Sequence, residues 1–288
     1  MAYVSDLPSF EKPLTAKVIE IIRPKLVFRP LFQVVKLEPG SSFYYFEEHS
    51  DQALGLAEIP KTSEGAWPVQ DYMTISKKIV YEPPEYKKTF KLSMKARRRI
   101  PGIDLAKLQL QQIAKDVAYT MDKAAKSVID AAIPDAHKIS KTGKMSENET
   151  VTGAIGKYDL LEAMKKVQED GFMPTDLLMN PVDVLDLAKF TQFSSREFFP
   201  EADLRRAVEF PKILGMTLRV SSMVDQGKAY IIARETLTPA YRPFGFWCVA
   251  EPVEVRTTTD LEERMIKFHV YFQEGPLLLS PNAIALIQ

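Results

Sequence analysis

The stretch DLAKLQLQQIAKDVAYTMDKAAKSVIDAAI, Asp104–Ile133, is the most regular in the chain. Apolar residues recur at Leu105, Leu108, Ile113, Val117, Met121, Ala124, Val128 and Ala132. The steps are mostly three or four, which predicts one apolar stripe along an amphipathic helix. Asp104, following Pro101 and Gly102, is placed to cap its start, and Pro134 cannot continue it. At about 1.5 Å per residue the helix would be on the order of 45 Å long. That exceeds what a compact domain ordinarily uses, so this helix is expected to act as a spine.

Upstream, prolines at 8, 13, 24, 30 and 39 punctuate residues 1–39 and disfavour long helices and central strands. A short helix over Thr15–Ile22 is expected, and the rest reads as an extended arm. Its apolar residues Leu26, Val27, Phe28, Leu31, Phe32, Val34 and Val35 cannot bury themselves and must lie on this chain or a neighbour. Residues 40–95 read as a long β excursion. Ser41–Phe46 is aromatic and strand-like, a polar tip carries Gly55, Pro60, Gly65 and Pro68, and alternation resumes over Tyr72–Tyr81 and Tyr86–Met94. A hairpin of that length with no helix over it is poorly stable in isolation.

Downstream, residues 135–156 form a polar linker, and a compact α+β pattern follows. Tyr158–Asp170 is an amphipathic helix closed by Gly171, Thr175–Met179 a buried strand, and Pro181–Phe190 a helix with proline at its first position. Arg205–Phe210 is a further helical segment, and Met216–Ser221 and Ala229–Ala233 are strands. The tail is β: Trp247–Val255, Met265–Phe272, and a final apolar pair, Leu277–Leu279 with Ala283–Ile287, around Ser280-Pro281-Asn282.

Hydrophobic residues make up 45% and charged residues 26% of the 288, which is ordinary globular usage. The formal net charge of +0 disfavours a dedicated sequence-specific nucleic-acid binder. It does not disfavour the wall of a container, whose inner face alone meets a polyanion. The single cysteine, Cys248, excludes an intrachain disulfide and a thiolate-rich zinc site, and suits a reducing cytoplasm. Met1–Phe10 carries no signal-peptide pattern, and no apolar run approaches a membrane span.

The search for chemistry finds no catalytic, cofactor-binding or metal-binding residue. His49, His137 and His269 are not spaced as a ligand pair, and each reads as structural or surface. Cys248, between Trp247 and Val249, reads as a buried inert thiol. Gly153-Ala-Ile-Gly156-Lys157 lacks phosphate-loop spacing and reads as a flexible linker before a helix. Asp260, Glu262 and Glu263 alternate with Arg264 and Lys267 and read as a solvated turn. One charge feature stands out. Lys77, Lys78, Lys87, Lys88, Lys91, Lys95, Arg97, Arg98 and Arg99 face only Glu82 and Glu85. The strip Lys87, Lys88, Lys91, Lys95, Arg97, Arg98 and Arg99 is the candidate inter-subunit or DNA-facing site. A salt-bridged, solvated hairpin face is the equal alternative.

Four stretches carry a family resemblance: Tyr158-Asp-Leu-Leu-Glu-Ala-Met, Asp176-Leu-Leu-Met-Asn-Pro181, Leu214-Gly-Met-Thr-Leu-Arg-Val220 followed by Ala229-Tyr-Ile-Ile, and Leu277 to Leu286. With the order of elements they resemble the HK97-fold major capsid proteins of tailed viruses. The resemblance covers nearly the whole chain. It implies an α+β fold with an N-terminal arm (1–39), an extended β-hairpin loop (40–95) and a peripheral domain (96–156) on the spine helix. An axial lobe (157–245) and a closing β segment (246–288) complete it. It also implies a non-enzymatic subunit without cofactors that forms pentamers and hexamers, or pentamers only, and closes an icosahedral shell. Double-stranded DNA packaged without sequence specificity, no membrane, and a virion capsid assembled in the host cytoplasm follow from the same resemblance. Some members carry a long N-terminal scaffolding segment that is cleaved off; here the arm starts almost at once, so a separate scaffolding protein or a mature form of the chain is expected. An encapsulin, a nanocompartment of the same fold enclosing enzymes, is the alternative. A soluble enzyme is the third, and no residue pair supports it. Some members cross-link a lysine to an asparagine with the help of a glutamate. Glu274 looks like that glutamate, but Glu263–Phe272 contains no asparagine, so no such cross-link is expected.

Overall fold

The computed structural model describes residues 7–22, 26–38, 41–48, 75–93, 105–144, 150–151, 153–188, 212–236, 244–260 and 264–288. In chain order the elements are α1 (Leu7–Ile22), β1 (Gln33–Lys36), β2 (Phe43–Glu48), β3 (Ile75–Tyr81), β4 (Glu85–Ser93), α2 (Leu105–Ala132) and β5 (Lys138–Ile139). Then come α3 (Lys157–Glu169), β6 (Phe172–Met173), β7 (Asp176–Met179), α4 (Pro181–Ala188), β8 (Lys212–Ile213) and β9 (Met216–Val220). The chain closes with β10 (Ala229–Ile232), β11 (Glu235–Thr236), β12 (Gly245–Asp260), β13 (Met265–Leu278) and β14 (Ile284–Ile287). The expected segment Arg205–Phe210, the cap Asp104, the last two residues of the helix expected over Pro181–Phe190 and the hairpin tip lie outside the described residues.

The chain divides into two units. The first takes residues 1–41, 83–131 and 246–277. Its sheet runs β1-β12-β13-β4. Strand β13 pairs antiparallel with β4 from Gln273↔Glu85 to Met265↔Ser93, and β1 lies parallel to β12 from Gln33↔Phe246 to Lys36↔Val249. Phe268, Val270 and Phe272 point to the buried face, while Lys267, His269 and Tyr271 alternate outward, the period-two pattern of a sheet wet on one side.

Helix α2 is 28 residues long, close to the expected span, but its buried stripe is displaced from the expected one. Ile113, Val117 and Met121 are buried as expected. Leu108 is half exposed, and the centre of the stripe runs through Ala114, Ala118, Ala125 and Ile129. Alanine carries little hydrophobic weight in a periodicity, so the true centre is hard to see in the sequence. Its smallness has a use here. Ala118 and Ala125 flank Asp122, whose carboxylate accepts the backbone N–H groups of Val27 and Phe28 at 3.0 and 3.1 Å. Bulkier neighbours would hold that segment off the helix.

The arm differs from expectation where its helix begins. Helix α1 starts at Leu7 rather than Thr15. Pro8 falls in the first turn, where an N–H has no intrahelical acceptor, and Pro13 forfeits one bond. Of the two surfaces open to the arm's apolar residues, Leu26, Phe28, Leu31 and Phe32 take the one within this chain and are buried in the first unit, while Val34 stays exposed. Burial is worth about 1.5–3 kcal/mol for each such side chain, so this segment is core rather than a loose extension.

The second unit takes residues 42–82, 132–245 and 278–288. It holds a six-stranded sheet, β5-β14-β10-β7-β9-β8. Its central strands β7, β10 and β14 are buried at every position, which explains why they read as apolar runs rather than as alternation. The final apolar pair was expected around Ser280-Pro281-Asn282. Instead β14 pairs antiparallel with β10 and parallel with β5. The Pro281–Ala283 3-10 turn carries the chain away from β13.

The expected hairpin is also shorter than read. Strands β2 and β3 pair antiparallel from Phe43↔Tyr81, whereas β4, read with them, belongs to the first unit's sheet. Pro83-Pro84 supplies no backbone donor and ends the pairing. Within residues 135–156, expected as a polar linker, the stretch 141–156 is a built loop as far as it is described. Asp159 of α3 is buried and accepts N–H groups from Thr142, Gly143 and Gly156 at 3.0, 3.0 and 2.7 Å. Asp159 is thus the third helical residue reaching back to the N-cap, half of a capping box.

Candidate assembly surfaces and the buried Glu274 centre

The described part of the basic strip lies on β4, the edge strand of the first unit's sheet. Alternation sends Lys87 and Lys91 to the wet face with Thr89, and Lys88 to the other with Tyr86, Phe90 and Leu92. Lys88 reaches Asp116 of α2 at 2.7 Å and lies 4.9 Å from the centre of the Phe90 ring. Lys87 pairs with Glu85 at 2.5 Å. The structure thus splits the strip between two faces and gives Lys87 and Lys88 carboxylate partners. Lys95, Arg97, Arg98 and Arg99 lie outside the described residues.

The same wet face continues across β13 and β12 as interlocked polar groups. Both ring nitrogens of His269 contact threonine hydroxyls, Thr89 at 3.0 Å and Thr258 at 2.8 Å. Lys267 meets Asp260 at 2.7 Å, so the carboxylate read as part of a solvated turn is tied to the strand opposite. Tyr271 donates to Glu254 and is covered by Arg256, 4.9 Å from the ring centre. Burial, then the bond to Glu254, pushes the Tyr271 hydroxyl up to about 12, so it stays a donor. A sheet face of this kind offers directional polar contacts to a partner and little apolar attraction.

Beneath the sheet sits a charged centre that sequence reasoning only touched. Glu274 is buried on β13. The Trp247 indole N–H donates to its Oε2 at 2.6 Å, and Arg29 Nη2 stands 2.9 Å from the same oxygen. The Arg29 guanidinium lies 5.6 Å from the centre of the indole, and Phe32 meets the indole edge-on at 6.0 Å. Burial raises the Glu274 carboxyl above its ordinary range, with Arg29 and Trp247 pulling the other way. The centre clamps the arm to β12 and β13. Arg29 and Trp247 were missed, although an arginine amid arm hydrophobes and a tryptophan on a closing strand were the signals available.

The remaining candidates are structural. His137 is buried between the carbonyl of Ile284 at 2.8 Å and Asp170 at 3.1 Å. Cys248 is a buried free thiol raised by burial to about 11, which leaves it protonated and inert. His49 lies outside the described residues. A cleft between β4 and α2 is lined by Tyr86, Phe272 and Thr120, but its Asp116 is already engaged by Lys88 and Gln112. Among the described residues no three His, Cys, Asp or Glu side chains are grouped to hold a metal, and no helix is long and apolar enough to cross a membrane.

No protein-family model matches the chain, and no curated protein matches it. Solved structures do. The capsid of cyanophage P-SCSP1u superposes with a TM-score of 0.65 at 13% identity, covering 89% of this chain and 86% of that one. This chain has the HK97-like capsid fold. A virus-like particle from Pyrococcus furiosus matches at TM-score 0.57 and 18% identity, over 97% of this chain and 99% of that one. The holo-SrpI encapsulin complex from Synechococcus elongatus matches at 0.55 and 14%, over 90% and 85%. The fold thus occurs in viral shells and in an encapsulin alike.

Proposed function

We propose that this HK97-like chain is a shell-forming structural subunit that self-associates into a closed icosahedral particle. One observation carries the reading beyond the fold. The hairpin β2–β3 is a two-stranded sheet with no third strand among the described residues, and a bare two-stranded ribbon is marginal in water. A second copy of the chain supplies the surface it lacks. Closure follows from repeated contacts around rotation axes, giving pentamers with or without hexamers. The finer reading is a major capsid protein enclosing double-stranded DNA without sequence specificity, assembled in a host cytoplasm with a separate scaffolding protein. The net charge of +0 agrees with a wall that meets DNA on one face only. No catalytic role is proposed.

An encapsulin-type compartment is the second reading, favoured by the encapsulin match. Electron microscopy of the purified protein tests assembly, and closed shells are expected. A protein that stays monomeric at high concentration sinks the proposal. The ultraviolet spectrum and mass spectrometry of native particles separate the two readings. Nucleic acid inside supports a virus, and a co-purifying enzyme supports a compartment.

A further inference from the structure

Asp176 opens β7 in the second unit and has no exposed surface. Its Oδ1 accepts from Arg219 Nε and its Oδ2 from Arg234 Nε, each at 2.6 Å. The Thr175 hydroxyl adds a third bond, to Oδ2, at 2.7 Å. The sheet register explains the meeting. In the parallel β7–β9 pair Asp176 stands opposite Thr217 and Leu178 opposite Arg219, so Arg219 shares the face of Asp176. On the other flank Ile232 stands opposite Asp176, and Arg234 follows two residues later.

Two guanidiniums therefore share one carboxylate, and the cluster keeps a net positive charge. Each arginine spends only its Nε on Asp176. A guanidinium has five N–H groups in a fixed fork, and no contact within the described residues occupies the remaining ones. The side chains are 23% and 40% exposed, so solvent reaches both arginines while their Nε groups are fixed. A buried carboxylate that pins one fork on each of its oxygens removes much of the rotamer freedom a long arginine would otherwise lose on binding.

We propose that Arg219 and Arg234 form a binding site for an oxyanion, a phosphate or carboxylate group, with Asp176 as the positioning residue. The site rests on this geometry and not on the shell reading. The outer edges of the two forks supply parallel N–H groups of the kind that bind such anions in pairs. The anion would balance the charge that Asp176 leaves uncompensated.

The test uses the full chain, dispersed into subunits, titrated with inorganic phosphate at constant ionic strength against chloride. Binding is followed by calorimetry and by the arginine side-chain resonances. Saturable phosphate binding is expected, weakened about tenfold or more in Arg234→Gln, the loss of a charge-assisted pair. Arg234→Lys should fall between, because it keeps the charge and loses the fork. Circular dichroism checks that each variant folds, and Arg219→Gln serves if Arg234→Gln does not. Assembled particles are titrated in parallel. Binding in both forms identifies a free ion as ligand, and binding in dispersed subunits alone identifies a carboxylate of a second copy that fills the site on assembly. Equal binding by wild type and Arg234→Gln, or no preference for phosphate over chloride, overturns the proposal and leaves the two forks merely hydrated.

Discussion

Asp122 and Glu274 each bring a carboxylate into the first unit, and both hold the same short segment, Val27–Arg29. Asp122 satisfies backbone N–H groups that open the Arg29–Leu31 3-10 turn. Removing it leaves buried donors unpaired, and Asp122→Ala should destabilise the first unit by about 2–4 kcal/mol. Amide exchange at Val27 and Phe28 should rise first. Burial raises the carboxyls of Asp122, of Glu274 and of Asp183 on α4, which accepts the Gly227 N–H at 2.8 Å, above their ordinary range, more than their hydrogen bonds and neighbouring cations lower them. A raised folded-state value means the folded protein holds the proton more tightly than the unfolded chain does. Stability from these three groups is therefore fully present below their unfolded values and is lost as pH rises through the folded ones. Glu254, held low by Arg256 and Tyr271, acts in the opposite sense and loses its contribution as pH falls. Melting temperature followed from pH 7 downward should gain from the buried groups over mildly acidic pH. Asp122→Asn should flatten that gain, and an unchanged slope would refute the assignment. The same burial bears on cross-linking. Glu274 is sealed between Arg29 and Trp247, and Glu263–Phe272 offers no asparagine. Assembled particles boiled in detergent should run as one band at the mass of the chain, and a ladder of multimers would contradict this.

At the scale of elements, the loop before α3 shows how a polar, glycine-rich stretch becomes structure. Gly143 has φ +68°, and a Cβ there would collide with the backbone carbonyl of Val151. Gly153 has φ +86° with open space around it. Gly143→Ala should therefore cost clearly more than Gly153→Ala, whose penalty is left-handed strain of about 1–2 kcal/mol. Thermal melting of the two variants makes the comparison, and equal losses would mean the loop is not packed as described. This loop also marks where the sequence stops being legible. Its composition reads as a linker because the buried partner that organises it, Asp159, sits beyond it on the next helix. The spine helix was readable because its pattern is local. Its stripe was misplaced because alanines at 114, 118 and 125 carry the packing without carrying a hydrophobic signal. Strand β4 was read into the hairpin because alternation does not say which strand is the partner. Of the candidate site, Glu274 was visible through resemblance, while Arg29 and Trp247 stand far apart in the chain and meet only after β1 pairs with β12.

At the scale of the whole molecule, the arm and the hairpin were the two segments that looked unable to bury themselves. They part company in the structure. Leu26, Phe28, Leu31 and Phe32 of the arm are core of the first unit, so they no longer argue for a second copy, and the weight of the assembly reading passes to the hairpin. That makes the hairpin the place to test it. Phe43 and Tyr81 are directly paired at its base, and paired strand residues lie about 5 Å apart at their Cα atoms. A short Gly-Ser turn can therefore replace residues 43–81 without stretching the chain on either side. The six-stranded sheet contains no residue of that segment, so the shortened protein should fold and melt close to the parent temperature. It should elute as a monomer or small oligomer and form no closed particles under the electron microscope. Shells of the parent diameter from the shortened chain would show that the hairpin is dispensable, and the argument from its missing third strand would fall with it.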